Sequence, residues 1–144
     1  MRMHASCAAR PGPDGYDAIL LLGAPGAGKS DFLLRLIHEG FSLVADDQVL
    51  VCNGIASAPA ALAGLLEVRG LGIFRLPHLA SAPLRLAVSL GAPAARLPAP
   101  QTHAPLGLPL VTIDPASPSA IARAVLALEA ACGRLTQVAG SFAS

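Results

Sequence analysis

Residues 23–30 read GAPGAGKS and fit the spacing G-x-x-x-x-G-K-[ST] in full. Glycines at Gly23, Gly26 and Gly28 let a backbone wrap closely around phosphate oxygens with its N–H groups turned inward. A helix beginning at the end of such a loop adds its positive end to the same site. Gly23, Ala24, Pro25, Gly26, Ala27, Gly28, Lys29 and Ser30 are therefore the candidate nucleotide-binding set. In this pattern Lys29 would reach the β- and γ-phosphates of ATP, and the Ser30 hydroxyl would ligate Mg2+. Lys29 is also the only lysine in a chain with nine arginines. A tight strand-to-helix turn with no ligand is the alternative for the pattern taken alone.

A second candidate is FSLVADDQVL, residues 41–50, where Asp46 and Asp47 interrupt apolar text. Ionised carboxylates are costly to bury unless something pairs with them. A buried strand ending in Asp suits the acid that holds Mg2+, directly or through water, in phosphate-loop enzymes. Successive side chains on a strand point to opposite faces, so the two acids need not share one task. One can face a metal and the other a nucleophile. Close carboxylates also push their proton affinities apart, which favours one of them as proton acceptor. A solvated turn ending the strand is the competing explanation. A guanine-reading N-K-x-D is impossible with the one lysine already in the loop, and LSGGQ is absent. The chain is short for an AAA-type module, so a small kinase-like phosphotransferase survives.

These groups need a scaffold. AILLLG is a continuous apolar run bounded by glycine, the pattern of a strand buried on both faces. Over residues 29–39, Phe32, Leu33, Leu36 and Ile37 recur at helical spacing, and Gly40 stands where a helix stops. FSLVA and QVLVC predict two further strands around the acid pair. MHASCAA predicts a strand, and RPGPDGYD a turn. Asn53-Gly54 is a hairpin signal, and LRLAVSL alternates as a strand. Residues 91–118 carry seven of thirteen prolines, which predicts irregular structure or short edge strands. Ser117-Pro118 predicts the start of a helix that runs to about Cys132 and ends at Gly133. A strand, glycine-rich turn, helix and strand open an α/β domain, mixed rather than regularly alternating.

Composition narrows the classes. At 144 residues one domain is expected over residues 1–144, with a loose tail at 134–144. Hydrophobic residues make up 53 % and charged ones 13 %, and the net charge is +1. No basic stripe with interleaved aromatics is present, so no nucleic-acid partner is expected. The apolar run at residues 18–22 is too short to span a bilayer, and MRMHASCAAR lacks a signal-peptide core. Cys7, Cys52 and Cys132 form no C-x-x-C and are expected as reduced thiols of a cytoplasmic protein.

Beyond the acid pair, residues 65–74 read LLEVRGLGIF. GAPGAGKS, LVADD, the match to E-[IV]-R-G-[LI]-G-[IL] from Glu67 to Ile73, and His4 in HASCAA occur in the order of one family. In these elements, spread over most of residues 4–76, the sequence resembles the C-terminal catalytic domain of bacterial HPr kinase/phosphorylase, in the short form lacking an N-terminal regulatory domain. The resemblance implies a P-loop fold of the HPr kinase/phosphoenolpyruvate carboxykinase-like type, a mixed sheet with flanking helices. It implies an ATP- and Mg2+-dependent serine kinase acting on the phosphocarrier HPr of the sugar phosphotransferase system, and a homo-oligomer, commonly a hexamer. By the same resemblance Lys29 and the loop amides hold ATP, and Ser30 with Glu67 holds Mg2+. Asp46 supports the metal, Asp47 takes the substrate proton, His4 lies near the phosphates, and Arg69 shapes the turn beside Glu67. The family's P-V-R-P-G-R-N segment, tied to the reverse phosphorylase reaction, has no counterpart. Arg75, Arg85 and Arg96 are left as equal candidates for transition-state charge, and His38, His78 and His103 as surface residues. A non-catalytic ATP-binding regulator and a small-molecule P-loop kinase are the rival readings.

Overall fold

A computed structural model describes residues 1–143. In chain order its strands are β1 (Arg2–His4), β2 (Ser6–Gly12), β3 (Gly15–Leu22), β4 (Ser42–Ala45), β5 (Gln48–Cys52) and β6 (Ile55–Ser57). After these come β7 (Leu65–Val68), β8 (Gly72–Arg75), β9 (Ala82–Leu90), β10 (Gln101–His103) and β11 (Leu108–Ile113). The helices are α1 (Lys29–His38) and α2 (Ala120–Ala131), with a single 3-10 turn at Ala60–Leu62.

The main sheet runs β1-β5-β6-β9-β3-β2-β4, with β11 also beside β9 and β10 beside β11. The apolar run of β3 lies at its centre, parallel to β9 on one side and antiparallel to β2 on the other. β9 gives its first residues to β6 and its last to β11, which is how one long strand joins both halves of the sheet. This is a mixed α/β architecture, as the alternation of buried strand, helix and buried strand predicts.

Strand alternation sends side chains to two cores. Ile19, Leu21, Leu43, Leu86 and Val88 pack with Phe32, Leu33 and Leu36 of α1 and with Ala124 and Leu128 of α2. Cys7, Ala9, Leu20 and Val44 turn the other way and pack with Val49, Val51 and Ala56 from β5 and β6. Fully burying a side chain such as Phe32 stabilises by about 1.5–3 kcal/mol. The helix that follows the glycine-rich loop is therefore fixed by its apolar face. Among the described residues no helix is long and apolar enough to cross a membrane.

Three local expectations change. RPGPDGYD is not all turn: Arg10 to Gly12 and Gly15 to Asp17 extend the β2–β3 ladder, leaving only Pro13 and Asp14 between the strands. The second helix begins at Ala120 rather than after Ser117. Residues 114–117 close a turn first, with Ser117 N–H donating to the Asp114 carbonyl and Ala116 N–H to the Asp114 carboxylate. The proline-rich stretch does hold a short outer strand, β10, but β11 is six residues long and pairs on both sides. Of the tail, Phe142 packs on the helix-side core and its N–H donates to Gln137 at 2.7 Å. Ser144 lies outside the described residues.

Candidate active site

β3 ends at Leu22 and α1 begins at Lys29, so the glycine-rich residues form the connection. Gly28 is the N-cap of α1 with φ +97, and Gly26 has φ +81, a left-handed backbone that side-chain-bearing residues adopt only at a cost. Gly23 is fixed by space instead: a Cβ there would meet the Ala27 Cβ at 3.0 Å. Lys29 folds back over this loop, and its Nζ donates to the carbonyls of Gly23 at 2.8 Å and Ala24 at 3.2 Å. The ammonium is thus held at the loop mouth.

The aspartates are divided. Asp46 is buried at the end of β4, and its Oδ1 accepts from Ser30 Oγ at 2.9 Å and from Ser6 Oγ at 2.8 Å. None of the ion pairs among the described residues includes Asp46. A buried carboxylate served only by hydroxyls is suited to a cation placed beside Ser30. Asp47, one residue on, is exposed and lies in the left-handed region at φ +67. Its carbonyl accepts from Ala5 N–H, and Gln48 N–H reaches back to the Asp46 carbonyl. The chain thus turns sharply between the two acids.

β7 and β8 form a separate hairpin against α1, rooted by Leu66 in the helix-side core. Alternation turns Glu67 away from that core, and both Glu67 and Arg69 are exposed. No ion pair among the described residues joins them.

Lys29, Ser30, Asp47, Glu67 and Arg69 line one cleft of about 500 Å³, together with Ser6 and the loop residues Pro25, Gly26 and Gly28. That volume is within the range of small-ligand sites. Asp46 lies behind its wall through Ser30. His4 is not among the lining residues: it is exposed on β1, opposite Gln48. Arg75 and Arg96 are exposed elsewhere, and Arg85 pairs with Asp17 at the far end of β3. The cations of the cleft are Lys29 and Arg69. His38 and His78 are exposed, and His103 is half-buried rather than fully at the surface. Ser6, Asp31, Leu34 and Val68 also line the cleft, although the sequence motifs pass them over.

The donors at the cleft are oxygens, the set that suits a hard divalent cation. Among the described residues no three His, Cys, Asp or Glu side chains converge as a metal site by themselves. A cation here would complete its shell with phosphate and water oxygens.

Residues 16–80, which carry the loop, the acid pair and the hairpin, match the family model for the HPr Serine kinase C-terminal domain. The HPr kinase/phosphorylase of Clostridium tetani is 49 % identical over 65 residues, which is 42 % of this chain and 21 % of that protein. The HPr kinase/phosphorylase of Listeria monocytogenes is 42 % identical over 66 residues, with the same shares of each chain. The chain spans about a fifth of the length of these relatives. The solved structure of the Hpr(Ser) kinase/phosphatase from Coxiella burnetii matches with a TM-score of 0.70 over 88 % of each chain, at 22 % identity. The fold likeness thus extends beyond residues 16–80.

Proposed function

We propose that residues 1–144 form one catalytic domain of an ATP- and Mg2+-dependent serine kinase whose substrate is the phosphocarrier protein HPr. The observation that carries this reading is the shared cleft. Lys29, Ser30, Asp47, Glu67 and Arg69 come from three separate parts of the chain and line one cavity, within the segment of the HPr kinase family. When bound, ATP supplies the phosphoryl group and Mg2+ neutralises charge on its phosphate oxygens.

The chain's own residues then have separable tasks. Backbone N–H groups of residues 23–30 other than Pro25, with the Lys29 ammonium held at the loop mouth, would bind phosphate. Ser30 and Glu67 would hold the cation, and Asp46, which accepts from Ser30 Oγ, would orient that hydroxyl and supply negative charge from behind. Asp47, exposed in the cleft, accepts the proton of the substrate serine. Arg69 places a positive charge on the opposite wall. His4, outside the lining set, is given no step. Such a site works by positioning and electrostatics, with no covalent enzyme intermediate.

The test is transfer of radiolabelled phosphate from ATP to purified HPr. Wild type should label HPr, and Asp47→Asn should reduce the rate at least about 100-fold while ATP still binds. Lys29→Ala should lose both binding and transfer. Transfer that survives Lys29→Ala would overturn the reading. Tight ATP binding by wild type without transfer would favour a nucleotide-binding regulator instead.

A further inference from the structure

Ser6 is the one polar residue in the run Ala5-Ser6-Cys7-Ala8-Ala9, all of it buried. A hydroxyl in such a place destabilises unless it is bonded, and here its single side-chain bond goes to Asp46 Oδ1 at 2.8 Å. The antiparallel register that pairs Cys7 with Ala45 brings Ser6 opposite Asp46, and the ladder shifts between Cys7 and Ala8. Such a shift re-aims a side chain. Ser6 also lines the cleft beside Ser30.

Asp46 Oδ1 therefore accepts from two hydroxyls that approach from different elements, β2 and α1. Ser30 also reaches Oδ2 at 3.0 Å, so it tolerates either oxygen. Ser6 contacts Oδ1 alone, and this breaks the symmetry of the carboxylate. We propose that Ser6 is a positioning residue for the cation at this site: it fixes the rotation of Asp46, and through Asp46 the direction of the Ser30 lone pairs. With its proton on Asp46, Ser30 keeps its remaining lone pairs turned to the cleft. Without Ser6 the carboxylate can rotate and carry Ser30 with it. The inference rests on the reading of this cleft as a Mg2+–ATP site.

The experiment measures ATP affinity with and without Mg2+, using a fluorescent ATP analogue, and Mn2+ binding to the ATP complex by its magnetic resonance signal. Wild type is compared with Ser6→Ala, Ser6→Cys and Ser6→Thr. Cysteine nearly keeps the volume but is a weak donor, and threonine keeps the hydroxyl. Outer partners of a metal site typically change metal affinity by about 10-fold or more when removed. Ser6→Ala and Ser6→Cys should thus lose about 10-fold of the Mg2+-dependent gain and bind Mn2+ correspondingly more weakly. Affinity without Mg2+ should stay at the wild-type value, and Ser6→Thr should restore the gain. Ser6→Cys keeps the question answerable should Ser6→Ala fold poorly. An unchanged Mg2+ gain in Ser6→Cys, or an equal loss with and without the metal, overturns the role of Ser6 alone. No Mg2+-dependent gain in wild type overturns the site reading beneath it, and the inference with it.

Discussion

The division of Asp46 from Asp47 is a backbone event before it is an electrostatic one. Asp46 ends a regular strand and is buried, whereas Asp47 sits at φ +67 and faces the cleft. Aspartate tolerates the left-handed region better than most side chains because it is short and polar. Asp47→Gly should leave stability within about 1 kcal/mol of wild type, because relief of strain is offset by greater freedom of the unfolded chain. Asp47→Ala should cost about 1–2 kcal/mol more than the glycine variant, and both should fail in phosphate transfer. Denaturant titration of the three proteins checks this, and equal stability of the alanine and glycine variants would remove the strain argument. At this scale the glycine-rich loop was legible because every one of its parts lies within eight residues of text. The acid pair could be seen as divisible, but which acid would be buried depends on the turn after β4. Ser6 was not legible, since its partner lies 40 residues away and a serine among alanines carries no spacing. Arg85 was an equal candidate in sequence and is spent on Asp17 at the other end of the sheet.

At the scale of elements, the cleft depends on two supports, α1 behind the loop and the β7–β8 hairpin opposite. Phe32, Leu33 and Leu36 fix the helix through one apolar face, and that periodicity was readable directly. The hairpin is less self-evident: all four residues of β8 are exposed, and Leu71, Ile73 and Phe74 stand out to solvent. Its hold on the domain is Leu66, 1 % exposed, with Val68 packed beside it. Leu66→Ala should cost about 2–5 kcal/mol, and amide exchange across residues 65–75 should accelerate more than in α1. Leu66→Met, which nearly keeps the volume, should cost less than about 1.5 kcal/mol and retain transfer. A cost below about 1 kcal/mol for Leu66→Ala would mean that the hairpin is held elsewhere. The start of α2 shows the complementary limit. Ser-Pro is a sound start signal, but Asp114 and Ser117 bind nearby N–H groups first, and the helix waits until those bonds are made.

Across the whole molecule, the two ends of β3 carry different charge arrangements. At one end lie the loop and a cleft whose cations, Lys29 and Arg69, take part in no ion pair among the described residues. At the other, buried Asp17 is paired with Arg134 at 2.8 Å and Arg85 at 3.4 Å. Arg134 also bonds Glu129 at 2.9 Å, and Glu129 in turn meets Arg10 of β2. These contacts clamp the C-terminal end of α2 to the β2–β3 hairpin, across up to 119 residues of sequence. No local pattern could reveal them. The Glu129 carboxyl is held below its ordinary value of 4.5, first by the Arg134 hydrogen bond, with burial opposing and Arg10 adding to the effect. A depressed carboxylate contributes stability that is fully present above its unfolded value and lost as pH falls through the folded one. Arg134→Ala should therefore be less stable than wild type at neutral pH, and that gap should narrow as pH falls below 4.5. Because these side chains are partly exposed, added salt should narrow the gap as well. Urea denaturation of both proteins across that range provides the check. A gap that stays constant from neutral pH to well below 4.5 would show that Arg134 holds the helix by packing of its stem, with no contribution from the Glu129 charge.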